Sequence, residues 1–136
     1  MRISARAEYA CLTIIELARS QMIGRPMRAR EIAESQDIPE RYLVQILLQL
    51  KSAGLVRSLR GSAGGYALMR DAGAITLAEV IITIDGPGEP PRKSGSPDAS
   101  KFNEVLERAR AAELVVLSAV RISELVGGEV LDDYVL

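Results

Sequence analysis

"REIAESQDIPERYLVQILLQLKSAGLVRSLRGSAGGYAL", residues 30–68, is the stretch on which the fold turns. With the two residues before it, "RAREIAESQ" reads as a short helix carrying Ile32 and Ala33 inward. "DIP" then marks a turn, and Pro39 suits the first position of a new helix. That helix, "ERYLVQILLQLKSAG", places Leu43, Ile46, Leu47 and Leu50 on one face, with Gly54 as a C-cap. "LVRSL" (55–59) and "GYALM" (65–69) read as two short strands around a glycine-rich tip. Such a tip could be a phosphate cradle, a plain hairpin turn, or a surface that touches something larger. A dinucleotide cradle needs a helix after its glycines, and a strand follows here instead. The turn and the touching tip both stay open. Arg57 and Arg60 beside the glycines favour the second.

Working outward, Ser4 caps a helix from Ala5 to about Ser20, with Ala7, Ala10, Cys11, Ile14, Leu17 and Ala18 as its apolar stripe. "GRPM" at 24–27 ends it. Downstream, Thr76 opens another helix, and Glu79 three residues later completes a capping box ahead of Val80, Ile81 and Ile84. Residues 85–100, "DGPGEPPRKSGSPDAS", hold four prolines, three glycines and three serines, the composition of a flexible loop. From Asp98 to Val120 runs the longest helix. Phe102, Val105, Ala109, Ala112, Val116 and Val120 approximate an a/d seam. Glu104 with Arg108 and Glu107 with Arg110 support its wet side. The seam is too short for a free coiled coil and calls for a partner helix. Ser123 starts a final turn, and "GEVLDDYVL" is a solvated acidic end.

The totals narrow the function. The chain has 136 residues, which suits one domain with an appendage, and its 48% hydrophobic but only 4% aromatic content makes a mainly helical, aliphatic core. It has no histidine and one cysteine, which excludes most metal sites and any Cys/His or Ser/His nucleophile. With no histidine and no catalytic pattern of paired carboxylates, an enzyme is not expected. A lone cysteine and a charged N-terminus without an apolar core point to the cytoplasm. The apolar runs are too short to span a membrane. Residues 1–70 carry 11 Lys/Arg against 6 Asp/Glu, and residues 71–136 carry 6 against 12. The basic half is the one that would meet an anion.

Helix, helix, helix, hairpin, helix is the order of a winged helix, in which the third helix enters the DNA major groove by its N-terminal end. Glu40, Arg41, Tyr42 and Gln45 stand there, and Arg and Gln can pair bidentately with guanine and adenine edges. The wing offers Arg57, Ser58, Arg60 and Gly61. Arg60 is placed to enter a minor groove, and the small tip lets the backbone approach a sugar-phosphate strand. Arg2, Arg28, Arg30 and Arg57, together with helix N-termini, are candidates for phosphate contacts.

"MRISARAEYACLTIIELA", the long stretch at residues 30–68 and "ITLAEVIITIDG" together resemble the Rrf2 family of bacterial winged-helix transcription regulators, and "ISELVGGEVLDDYV" is similar to the family's close. The resemblance implies a homodimer joined by the long C-terminal helix, each protomer reading half of a palindrome through Tyr42, Gln45 and Arg60. Many members bind an iron–sulfur cluster through three cysteines in the loop before the long helix. Here that loop, "GPGEPPRKSGSPDASKF", has none, so no cofactor is expected. Glu8, which matches an accessory ligand position, reads as an exposed helical residue. A cluster-free branch of the family works with a partner enzyme.

The expectation is therefore a winged helix-turn-helix DNA-binding domain (1–85), a flexible loop (86–97), and a dimerisation helix with its tail (98–136). Its function is that of a cluster-free, homodimeric regulator of double-stranded DNA, a repressor acting on a palindromic operator. Its signal would come from a small-molecule effector, a regulatory partner protein, or Cys11 as a redox thiol. Cys11 on an apolar stripe reads first as a packing residue. The rival reading is a winged helix that binds proteins and reads no DNA, which the low net charge favours.

Overall fold

Helix α1 (Ala5–Met22) forms the spine of the molecule, because both of its flanks are small or aliphatic. The computed structural model describes residues 3–89 and 95–126. Arg2 and the acidic end beyond residue 126 lie outside them. Ser4 caps α1 by accepting from the Ala7 N–H at 3.0 Å, as the sequence predicts. Ala7, Ala10, Ile14, Leu17 and Ala18 are buried along the helix. Its buried hydroxyls are satisfied locally: Thr13 donates to the Tyr9 carbonyl and Ser20 to the Leu17 carbonyl.

Helices α2 (Ala29–Gln36) and α3 (Glu40–Ser52) follow. Asp37 ends α2 in the left-handed region at φ 54°, a conformation that Asp tolerates, and Pro39 stands at the N-cap position of α3, one residue before the first helical position expected of it, with no side-chain capping bond. Leu43, Ile46, Leu47 and Leu50 are fully buried. Each aliphatic side chain of that kind contributes about 1.5–3 kcal/mol of burial free energy. Strands β1 (Val56–Leu59) and β2 (Gly65–Leu68) pair antiparallel, Val56 opposite Leu68 and Leu59 opposite Gly65. The pair is extended by a bridge absent from the sequence reading. Met27, in the α1–α2 connection, exchanges backbone hydrogen bonds with Tyr66 at 3.0 and 2.6 Å.

A single 3-10 turn (Ala72–Ala74) leads to α4 (Leu77–Asp85). Thr76 accepts from the Glu79 N–H, so half of the expected capping box forms. The other half does not, because the Glu79 carboxylate is held by Arg70. Helix α5 (Pro97–Ala119) is capped by Ser96, with Pro97 in its first turn. Arg110 pairs with Glu107 at 2.7 Å, while Glu104 and Arg108 do not pair. The chain then returns. Leu77 N–H donates to Val120 O and Ile122 N–H to Ile75 O, both at 2.9 Å. Helix α6 (Ile122–Val126) buries Ile122 and Val126 in the same core as α1. The result is a mainly helical winged-helix fold with a two-stranded hairpin and a long C-terminal helix.

Candidate nucleic-acid interface

The core stripe of α3 dictates what the helix leaves outside. With positions 43, 46, 47 and 50 buried, positions 40, 41, 42, 44, 45 and 48 are exposed. Glu40, Arg41, Tyr42 and Gln45 therefore stand in solvent around the first two turns, and the Arg41 guanidinium lies 5.6 Å from the Tyr42 ring centroid. That stacking pre-orients two of the predicted base readers. The sequence reading missed Val44 and Leu48, both exposed on the same face. The periodicity that identifies the core stripe is the signal that finds them. An exposed apolar Val beside Gln45 is the kind of group that meets a thymine methyl.

The wing is tied to α3 at its root, where Lys51 Nζ donates to Ser58 Oγ at 3.0 Å. Ser58, itself exposed, is thus held by an intramolecular hydrogen bond. Arg57 and Arg60 are exposed and make no ion pair or hydrogen bond among the described residues. Gly61 adopts φ +98° with open space where a Cβ would stand, although its carbonyl is engaged within the protein. Gly64 and Gly65 serve a different purpose. A Cβ on Gly64 would lie 2.3 Å from Leu59 O, and one on Gly65 would lie 2.5 Å from Met27 O. These two glycines let the wing fold onto itself and onto the α1–α2 connection.

The remaining predicted phosphate contacts differ in character. Arg30 pairs with Glu34 at 3.5 Å, both highly exposed, a pair of small worth that can exchange for another anion. Arg28 Nη2 instead donates to two wing carbonyls, Gly61 O at 3.2 Å and Ser62 O at 2.7 Å.

Glu16 is 6% exposed on α1, and its carboxylate accepts from Ser35 and from Gln36 Nε2 (2.9 Å) at the end of α2, with Arg19 Nη1 at 3.5 Å. Burial works to raise its pKa, but these partners outweigh it and the pKa is lowered. The knot fixes α2 against α1, and so helps set the angle at which α3 is presented.

Cys11 is 9% exposed. Burial, then the charges of Asp85 and Glu8, push its thiol up to about 11. Burial and a raised thiol pKa are the environment of a packing thiol.

Phe102, Val105, Ala109, Ala112 and Val116 are all exposed along α5, the valines and phenylalanine at 58–63%. No described residue of that 23-residue helix is buried. Val120 leaves the seam, turned half-inward where the chain rejoins α4. Between the start of α1, α4 and α5 opens a cleft of about 980 Å³, with Ile3, Ile81, Ile82, Leu114 and Leu117 as its apolar lining and Glu107 and Arg110 on its rim.

Comparison with known proteins agrees with this geometry. Residues 3–128 match the family model described as "Rrf2: Iron-dependent Transcriptional regulator". The chain is 34% identical over 125 residues to the HTH-type transcriptional regulator CymR of Bacillus subtilis, covering 92% of this chain and 89% of that protein. It is 32% identical over 138 residues to the regulator IscR of Cereibacter sphaeroides, covering 95% and 89%. Its structure is similar to that of CymR, the global cysteine regulator of B. subtilis, with a TM-score of 0.82, 32% identity, and 93% and 97% of the two chains covered. It is also similar to T. potens IscR, with a TM-score of 0.79, 26% identity, and 95% and 88% covered.

Proposed function

Because the chain belongs to the Rrf2 family, whose members are DNA-binding transcription regulators and not enzymes, we propose that it is a homodimeric repressor that binds a palindromic operator without an iron–sulfur cluster. The observation that carries the reading is the pairing of an exposed N-terminal end of α3 with a wing whose Arg57 and Arg60 are exposed and have no ion-pair or hydrogen-bond partner among the described residues. Arg41, Tyr42 and Gln45 read base edges, with Glu40 placed to accept from a cytosine amine. Arg60 reads groove width, and Arg30 and Arg57 contact phosphates.

The family's description names iron, and the donors of this chain do not fit an iron–sulfur cluster. There is one cysteine and no histidine in the whole sequence, and the cysteine is buried with a raised pKa. Among the described residues no three His, Cys, Asp or Glu gather as ligands. No step therefore runs through iron. The signal enters elsewhere, and the cleft between α4 and α5 joins the reading head to the dimer helix. A small-molecule effector held there would bias one against the other.

The test is a mobility-shift titration of the full chain against duplexes selected from a random pool, at several salt concentrations. Tight binding to a two-fold symmetric site with a steep salt slope is expected. A protein purified without oxygen should be colourless and should keep that binding. Weak binding that ignores sequence would leave the winged helix a protein-interaction module instead, and stoichiometric iron and sulfide would overturn the cluster-free reading.

A further inference from the structure

Arg28 caps α2, the first helix of the helix-turn-helix, yet its side chain reaches across to the wing. The wing is anchored to the body at its root by Lys51–Ser58 and further along by the Met27–Tyr66 bridge, for which Gly65 makes room. Beyond that rung the tip, residues 60–64, has few holds. Gly64 N–H donates to Gly61 O at 3.0 Å, closing the turn upon itself. The Arg28 guanidinium donates to Gly61 O and Ser62 O and so ties the tip to the body. Glu31 fixes the base of this tie. It accepts from the Arg28 backbone N–H at 3.0 Å and from Arg25 at 3.2 Å.

We propose that Arg28 is a positioning residue that latches the wing tip to the start of α2 and so sets Arg60, the residue next to the latched carbonyls, in register with the recognition helix. Two grooves must be engaged at once for the wing and α3 to act together. A tip free to swing would place Arg60 correctly only part of the time. Both bonds leave one nitrogen, Nη2, whose two coplanar N–H groups end a side chain one atom longer than that of lysine, so a lysine ammonium neither reaches as far nor fixes its donors in that plane. The assignment rests on the DNA-binding reading, and it replaces a phosphate contact at Arg28 with an internal one.

The test uses the full chain with Arg28→Lys, Arg60→Ala and the double variant, and duplexes selected by the wild-type chain. Without DNA, amide hydrogen exchange in Arg28→Lys should quicken at Gly64, whose N–H closes the tip turn on Gly61 O, while α3 amides stay protected. Unchanged exchange at the tip would remove the latch, whatever the DNA result. With DNA, Arg28→Lys keeps the charge and should keep the salt slope, yet bind about tenfold more weakly. In the Arg60→Ala background the same change should cost less than about twofold, since the latch would have nothing left to position. Wild-type binding by Arg28→Lys, or an equal loss in both backgrounds, would overturn the proposal. A wild-type chain that selects no DNA would overturn the DNA reading and the positioning role with it, while the exchange data would still report on the latch itself.

Discussion

Glu16 and Gln45 show how differently single residues announce themselves. Glu16 reads from sequence as one more charge on an amphipathic helix, because its partners Ser35 and Gln36 lie on another element and no period connects them. Its lowered pKa makes it an acid-sensitive clamp. The knot's stabilisation is present above pH 4.5, the ordinary value, and is lost as pH falls through the depressed value in the folded protein. Glu16→Gln should cost about 1–3 kcal/mol at neutral pH, by loss of charged hydrogen bonds. The gap between variant and wild type should narrow as pH drops below 4.5. Thermal melts across that range check it, and a gap constant with pH would remove the ionised clamp. Gln45, by contrast, is legible from sequence: it falls outside the 43/46/47/50 stripe, so the helix must expose it. Gln45→Ala should leave the salt slope nearly unchanged, cost roughly 1–3 kcal/mol on the operator and relax preference at one base pair per half-site. Arg60→Ala should instead flatten the slope by about one unit and weaken A/T-flanked sites most. Salt titrations on the operator and a one-base variant distinguish the two. Equal losses with equal slopes would mean that Gln45 does not read bases.

Among the elements, α3 and the hairpin are the most legible, since an unbroken 3.6-residue stripe and two short apolar runs around glycines leave few alternatives. The Met27 rung is illegible for the opposite reason. A one-residue bridge has no period, and "GRPM" offers only breaker residues. The capping box at Thr76 is legible in half, because Arg70, six residues earlier, competes for the same Glu79 carboxylate. Glycines are legible as a group but not in their separate duties, and those duties differ. Gly65→Ala places a Cβ 2.5 Å from a backbone oxygen that cannot yield, at φ +142°, and should cost about 1–3 kcal/mol while freeing the wing from Met27. Gly61→Ala meets nothing within 4 Å, so only the strain of its positive φ opposes it, about 1 kcal/mol. Denaturant unfolding of both variants should rank Gly65→Ala as the more damaging. The reverse order would mean that the wing is not held at Tyr66.

For the whole molecule, the charge asymmetry and the bare helix tell one story. The basic residues gather in the half that carries α2, α3 and the wing, and the acidic excess falls in the half that carries α5. Under the proposed function, the basic half is the one that would face phosphate. Helix α5 is the element whose purpose a single chain cannot supply. Helices draw most of their stability from burying an apolar face, and none of its residues is buried. Phe102, Val105 and Val116 are legible as a seam because their spacing is that of a packed helix. What the spacing could not show is that the protein's own body leaves the seam uncovered while it draws Val120 in. A second copy would cover it, and a two-fold pair of reading heads would match a palindrome. Val116→Asp tests this cleanly, because the site is 62% exposed in one chain and the substitution should not disturb the fold. In a dimer it would bury an unpaired charge on each side, at about 3–5 kcal/mol. Sedimentation should then show a monomer that keeps a folded winged-helix part and loses at most the helical content of α5, and DNA binding should fall to that of a single half-site. A variant that remained a dimer would place the interface elsewhere on the surface, and one that became monomeric yet bound the full palindrome undiminished would separate dimerisation from operator recognition.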